Sequence, residues 1–358
     1  MRKCTWKRLT ALLLLLVMLC GCTYSGGKNA DPAPAPSPAP SQDTAPAISA
    51  SVESGTSGEG KTIGFSIASL AGTPYWQAML DRLKAGFEAK GYEVVYTDAA
   101  GDVSTQLADI QTFISMNVDA LLINPYASDS VADVSLQAEK AGIPVFAVDI
   151  PISDTGYSIA TFICDNWSIG KEHGRRVGAL FPQGETVDII ILSGFAGGED
   201  SWDRRLGFVT GIADYQIENG SSTNFNILYQ SYCNYEQEMA YERMVDIITR
   251  FDGDFDVVYC ENDAMALGAI TALEEAGRNP ADYIILGIDG MRQGYEKVKE
   301  GKLYGDGVNS PVDVADLSVE KIDAYLSGDT TISGTYYTEF DIVTKDNVDS
   351  YYDPNSLY

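Results

Sequence analysis

Hydrophobic and polar positions follow a repeating two-part pattern from residue 63 onward. Short apolar runs rich in β-branched residues alternate with longer stretches whose apolar residues recur three and four apart. The first kind has the composition of a strand buried on both faces, the second that of an amphipathic helix. Segment 63–68 predicts a strand, 76–90 a helix stopped at Gly91, and 93–96 a second strand. Segment 104–116 predicts a helix, 120–124 a strand stopped by Pro125, 128–141 a helix and 144–149 a strand. After residue 165 the pattern restarts, with helices at 168–180, 201–219 and 236–251 alternating with strands at 187–192, 225–229 and 256–260. Alternating units of this kind imply α/β architecture, with parallel sheets covered by helices on both faces. Two series imply two lobes, because single cores stop growing near ~250–300 residues.

The polar chemistry concentrates where strands end. The run 256–260 stops in Glu261, Asn262 and Asp263, and a helical pattern then continues to Gly277 and Pro280. The next apolar run, 283–288, ends in Asp289 and Gly290. Two strands thus deliver carboxylates and an amide to one sheet edge. Ligands of open α/β sheets bind in the crevice beyond the carboxyl ends of the strands. Polar groups held there on rigid elements suit a small polyhydroxylated ligand.

Six segments occur in the order and spacing of one family: IGFSIASLAGTPYW at 63–76, LINP at 122–125, Asp165-Asn166 before a helix, RRLGF at 204–208, ENDAMALGA at 261–269 and GIDG at 287–290. Over residues 61–345 the chain resembles the ribose/galactose-type (type I) periplasmic sugar-binding proteins of bacterial ABC importers. The resemblance implies two doubly wound parallel-sheet lobes, joined by a three-strand hinge, that close on a monosaccharide or related polyol. The N-terminal lobe is expected at 61–163 with 311–335, and the C-terminal lobe at 164–310 with 336–358.

The resemblance also implies site residues. Tyr75 and Trp76 match an aromatic pair on which the apolar face of a sugar ring packs, and Tyr235 matches a second aromatic in the other lobe. Trp202, near Arg204, is expected to reach the same cleft. Asp289 accepts from two hydroxyls, Asn262 both donates and accepts, and Arg204 offers a fork of donors. Thr73, Asp149, Asn166 and Asn309 complete the polar set. Competing readings stand beside these: core packing for Tyr75 and Trp76, a helix cap for Asn262, a turn for Asp289 and Asn309, and a surface position for Arg204. Two departures argue against ribose itself. Ile150 stands where ribose binders often carry arginine, and the loop 70–73 is one residue longer.

The N-terminus supports export independently. Arg2, Lys3, Lys7 and Arg8 precede an apolar run, 9–19, too short to span a membrane. The LCGC sequence then resembles a lipobox, so residues 1–21 are expected to be a signal peptide and Cys22 the lipidated residue. Segment 22–60, rich in proline, alanine and serine, reads as a tether, extended at ~3.1 Å per residue where proline dominates. The protein is therefore expected outside the cytoplasm, anchored to the cell membrane and monomeric.

Composition excludes several classes. The chain holds 51 acidic and 24 basic residues, and removing residues 1–21 takes four basic ones with it, leaving 51 against 20, or −31. Such acidity argues against a nucleic-acid partner. Cys164, Cys233 and Cys260 remain in the folded part, an odd number with no full disulfide framework, although strand-end positions permit a bridge between Cys233 and Cys260. No Cys/His metal spacing occurs, and DGDFD at 252–256 lacks the ligand count of a calcium loop. The only histidine, His173, reads as a helix residue. Glu261, Asp263 and Asp289 could form a glycosidase carboxylate pair, but no other catalytic feature accompanies them. The expected function is a binding protein without cofactor, not an enzyme, serving a permease and its ATPase. The alternative is a sugar sensor for a chemoreceptor or sensor kinase.

Overall fold

A computed structural model describes residues 56–71, 74–356 and 358. Cys22, most of the tether and Thr73 lie outside the described residues.

The first series runs β1 (Thr62–Ile67), α1 (Pro74–Ala89), β2 (Glu93–Asp98), α2 (Val103–Met116), β3 (Ala120–Asn124), α3 (Ala132–Lys140), β4 (Val145–Val148) and β5 (Ala160–Cys164). The second runs α4 (Asn166–Leu180), β6 (Thr186–Ser193), α5 (Glu199–Asn219), β7 (Asn224–Tyr232), α6 (Gln237–Phe251), β8 (Val257–Cys260), α7 (Asp263–Glu275), β9 (Ile284–Asp289), α8 (Arg292–Glu300) and β10 (Gly305–Val308). Helix α9 (Pro311–Leu326) and strands β11 (Gly334–Thr338) and β12 (Ile342–Val343) follow. Two six-stranded sheets result, ordered β11-β5-β4-β3-β1-β2 and β12-β10-β9-β8-β6-β7. All pairings are parallel except β10 with β12.

The chain crosses between the sheets three times: from β5 to α4, from β10 to α9, and from β11 to β12. Strand β11 keeps it in the first sheet through Thr338 rather than leaving at 335, so the third crossing lies at 339–341. Each sheet has apolar residues on both faces. In the first, Phe65, Leu122 and Phe146 pack under α1 and α9, while Leu121, Ile123 and Val145 pack under α2 and α3. In the second, Ile190, Val258 and Ile285 face α6 and α7, while Ile189, Val257 and Ile288 face α4 and α5. Successive residues of a strand point to opposite faces, so a sheet covered on both sides needs continuous apolar runs. The helix predicted from 128 begins at Ala132, because 127–131 forms a turn. Aspartates 252 and 254 lie in the turn after α6, where Asp252 adopts φ 51 and pairs with Arg278 at 3.1 Å.

Helices α4 and α5 pack backbone to backbone. Gly170 and Gly174 on one face Gly207 and Gly211 on the other, and a Cβ at any of the four would collide with a main-chain carbonyl of the opposite helix. The contact matters because α5 carries Arg204, whose own carbonyl is the atom beneath Gly170. Substituting Gly207→Ala should therefore lower stability by about 1–3 kcal/mol through overpacking. Denaturant melts check this; an unchanged midpoint would show that the helices separate freely.

Candidate ligand-binding site

Residues from both sheets converge on one small cavity. Tyr75 and Trp76 come from the first turn of α1, and Asp149 follows β4. From the other sheet come Asp200 and Arg204 on α5, Tyr235 after β7, Asn262 after β8, Asp289 at the end of β9 and Asn309 after β10. The cavity they enclose measures about 30 Å³, far below the roughly 300–1,000 Å³ of typical ligand sites. Beside it the cleft between the sheets widens to about 960 Å³, with Asp129, Asp154, Asp165, Glu199 and Asp203 along its wall. Burial, then Glu199, pushes the Asp203 carboxyl up to about 6.

Strand ends hold these residues under backbone strain. Among the described non-glycine residues only seven have positive φ; three of them, Asp149 (67°), Tyr235 (64°) and Asp289 (128°), line this cavity, and a fourth, Asn234 (52°), lines the wider cleft beside it. Such conformations cost about 1–3 kcal/mol each and cluster where function fixes them. Asn262 does two jobs. Its side-chain oxygen caps α7 by accepting from the Met265 amide at 2.9 Å, and its amide donates to the Tyr235 carbonyl at 3.2 Å. The helix-cap reading and the placement in the cavity both hold for this residue. Tyr75 likewise packs in the first lobe's core and lines the cavity.

The polar groups pair with one another. Trp76 Nε1 donates to Asp149 at 2.9 Å, Tyr75 OH to Asn309 at 3.0 Å, and Tyr235 OH to Asp200 at 2.5 Å. Arg204 meets Asp289 at 3.3 Å, with both side chains about 5% exposed, and Asn309 donates to the same carboxylate at 3.2 Å. Arg204 also donates to Asn166 at 2.8 Å and to the Glu261 carbonyl. Burial pushes the Asp289 carboxyl up to about 7, and the Arg204 charge opposes that rise. Burial works against the Arg204 charge, but Asp289, Tyr235, Asp200 and Tyr259 together offset it and its pKa rises. Asp149 is raised by burial, with Asp200 adding to the effect.

Two residues expected in the site are placed otherwise, and a third is not described. Trp202 is 55% exposed, under the Arg205 guanidinium at 5.5 Å. At 100° per residue, a helix that aims 200 and 204 inward must aim 202 outward. Asn166 does not line the small cavity; it holds Arg204 from the start of α4. Thr73 lies outside the described residues. Conversely, Asp200 was not legible among several carboxylates in GGEDSWD, although its position four residues before Arg204 puts both on one helix face. Glu261 is fully buried, anchoring Ser193, Ser201 and the Gly194 amide, and burial pushes it up to about 7. His173 is buried too, and burial holds it near 3, as a neutral ring. Cys164, Cys233 and Cys260 are all free thiols.

Comparison with known proteins decides the family. A periplasmic binding protein domain matches residues 63–330. The chain belongs to that family. Its members are substrate-binding proteins and not enzymes, and this chain is of the type I, sugar-binding kind found in ABC importers. A ribose import binding protein of Salmonella typhimurium is 29% identical over 84% of this chain and 96% of its own length. A xylitol-binding protein of Mycolicibacterium smegmatis is 29% identical over 73% of this chain and 71% of its own. A solute-binding protein of a Bacillus halodurans ABC transporter, solved with bound myo-inositol, superposes with a TM-score of 0.72 at 26% identity, covering 83% of this chain and 98% of that one.

The Asp289 carboxylate should matter most. Hydrogen bonds to a charged group contribute about 1.5–3 kcal/mol each, so Asp289→Asn should weaken a hydroxylated ligand on the order of a hundredfold. Calorimetry checks it, and a loss under tenfold (~1.4 kcal/mol) places Asp289 outside the site. Ligand hydroxyls need the ionised form, so wild-type affinity should rise with pH through about 7. The fold has the opposite sign. Its raised carboxyl favours the protonated state, so stability without sugar should fall as pH rises through the same value.

Proposed function

We propose that this chain is a lipid-anchored extracytoplasmic solute-binding protein that captures a monosaccharide or related polyol between its lobes and delivers it to an ABC importer. One observation carries this reading. Aromatic rings, three carboxylates, two amides and one guanidinium, drawn from both sheets, line a single cavity. A sugar needs that combination: flat apolar surface for its ring, and acceptors and donors for hydroxyls that do both. Relatives named for ribose and xylitol, and a neighbour with myo-inositol bound, span rings and open chains alike. Ile150 lines the wider cleft where ribose binders often offer arginine, which favours a ligand other than ribose.

The lobes touch across the cleft in the closed sense. Tyr75 reaches Asn309, Ser128 reaches Glu199 at 3.4 Å, and the Tyr126 and Phe195 rings lie 6.0 Å apart. Entry therefore requires an open form, and ligand affinity for the closed one drives the return. The three crossings form the hinge in this reading. The Pro/Ala/Ser-rich segment before residue 61 holds the lobes off the membrane, and lipid on Cys22 supplies the anchor.

A thermal-shift panel of D-ribose, xylitol, myo-inositol, L-arabinose and D-galactose tests the ligand class, because a ligand of the native state raises stability by RT ln(1 + [L]/Kd). At least one should raise the midpoint by several degrees at millimolar concentration. No shift with any pentose, hexose or polyol would overturn the assignment. The anchor is tested separately: Cys22→Ala should move the protein from the membrane to the soluble fraction, and a variant still membrane-bound would refute lipidation there.

A further inference from the structure

Behind the site two carboxyl groups meet in the core. Asp263, the first residue of α7, and Asp306, in β10, are both fully buried. They converge over Gly294 of α8: a Cβ there would lie 2.6 Å from Asp263 Oδ2 and 2.8 Å from Asp306 Oδ2. Each accepts from one of two consecutive main-chain amides. Gly290 N donates to Asp306 at 3.2 Å and Met291 N to Asp263 at 2.7 Å. Those amides follow Asp289, which adopts φ 128, with Gly290 at φ 80. Among the described residues no donor meets Asp263 Oδ1 or Asp306 Oδ2.

We propose that Asp263 and Asp306 share a proton and act together as positioning residues, clamping the turn that aims the Asp289 carboxylate into the cavity. The role in binding rests on Asp289 being a ligand acceptor; the shared proton does not. Two ionised carboxylates cannot lie this close in a dry core, and one proton between them turns repulsion into a hydrogen bond. Burial raises both groups; Asp306 raises Asp263 further, while the hydrogen bond with Asp263 pulls Asp306 back down, which places the shared proton on Asp263, and Asp289 on β9 adds to the rise of both. The other titratable groups facing the pair are Cys260 on β8, Tyr295 on α8 and Tyr358, with Asp313 on α9 and Tyr351 acting on Tyr295. His173 lies beside Gly305 and Gly307 of β10 and is neutral. The pair therefore has no neighbouring cation among these groups to hold a second negative charge. Its contribution is present below the ordinary aspartate range and is lost as pH climbs through the raised values.

The two carboxyls differ in what can replace them. Asn at 306 keeps the acceptor for Gly290 and supplies a permanent donor to Asp263. Ala at 306 leaves the Gly290 amide without its acceptor and leaves Asp263 with the Met291 amide alone. The experiment follows the Asp289, Gly290 and Met291 amide signals by NMR from pH 7 to 10 in wild type, Asp306→Asn and Asp306→Ala, each checked for folding by its melt. Calorimetry runs in parallel with whichever of D-ribose, xylitol and myo-inositol gives the largest thermal shift. In wild type the three signals should move together on the alkaline side and affinity should fall at least tenfold. In Asp306→Asn both should follow only the Asp289 titration near 7 and stay flat above it, with affinity at pH 7 within about threefold of wild type. Asp306→Ala, if folded, should lose at least tenfold at pH 7. An Asn variant with the wild-type alkaline profile would overturn the shared proton. Flat NMR signals with unchanged affinity in the Ala variant would overturn the clamp. If none of the three sugars binds, the ligand reading fails while the NMR arm still judges the pair.

Discussion

A buried ion pair organises this protein. Arg204 and Asp289 meet almost without solvent, and burying two charges costs several kcal/mol per ion unless geometry and further hydrogen bonds offset it. The surroundings supply those bonds. Asn166 and the Glu261 carbonyl hold the guanidinium, and Asn309 holds the carboxylate. Each partner is in turn fixed by packing. Arg204 sits on a helix pressed against α4 through facing glycines, and Asp289 ends a central strand of the second sheet. Removing either charge would leave the other buried and alone, at a cost of about 3–5 kcal/mol.

The same arrangement explains why the cavity is small and strained. Its donors and acceptors satisfy each other across about 30 Å³ of space, so a sugar bound there would have to exchange hydrogen bonds rather than add them. Trp76 with Asp149, and Tyr235 with Asp200, are pairs in which a hydroxyl can take the place of one member. Net binding then depends on small differences, and the strained backbone at Asp149, Tyr235 and Asp289 keeps those groups aimed without relaxation. Preorganisation of this kind gives affinity by lowering the ordering cost of the complex.

Much of this was legible in the sequence, for identifiable reasons. Strands buried on both faces advertise themselves as apolar runs, which is why β1, β3, β4, β6, β8 and β9 were found and why their polar endings pointed to the cleft. Strand β10 (GDGV) has no such signal, since its glycines make room for Ile169 and His173 and its one carboxyl belongs to a buried pair. Strand β12 is two residues long. Arg204, Asn262, Asp289 and Asn309 were placed by motif. Trp202 neighbours Arg204 in sequence, yet helical phase turns it outward, and the same phase turns Asp200 inward. Asp263 looked like a helix-start residue and is one; only the fold could bring Asp306 to it.

The central claim is that two lobes close on one small ligand. Small-angle scattering on a monodisperse sample, without and with a saturating sugar chosen by thermal shift, tests it most directly. The free protein should show a radius of gyration larger than that of the closed arrangement, falling towards it on saturation, with Trp76 emission changing in step. An identical scattering curve in both conditions would contradict it and leave the sugar bound to one lobe alone or to a cleft that never opens.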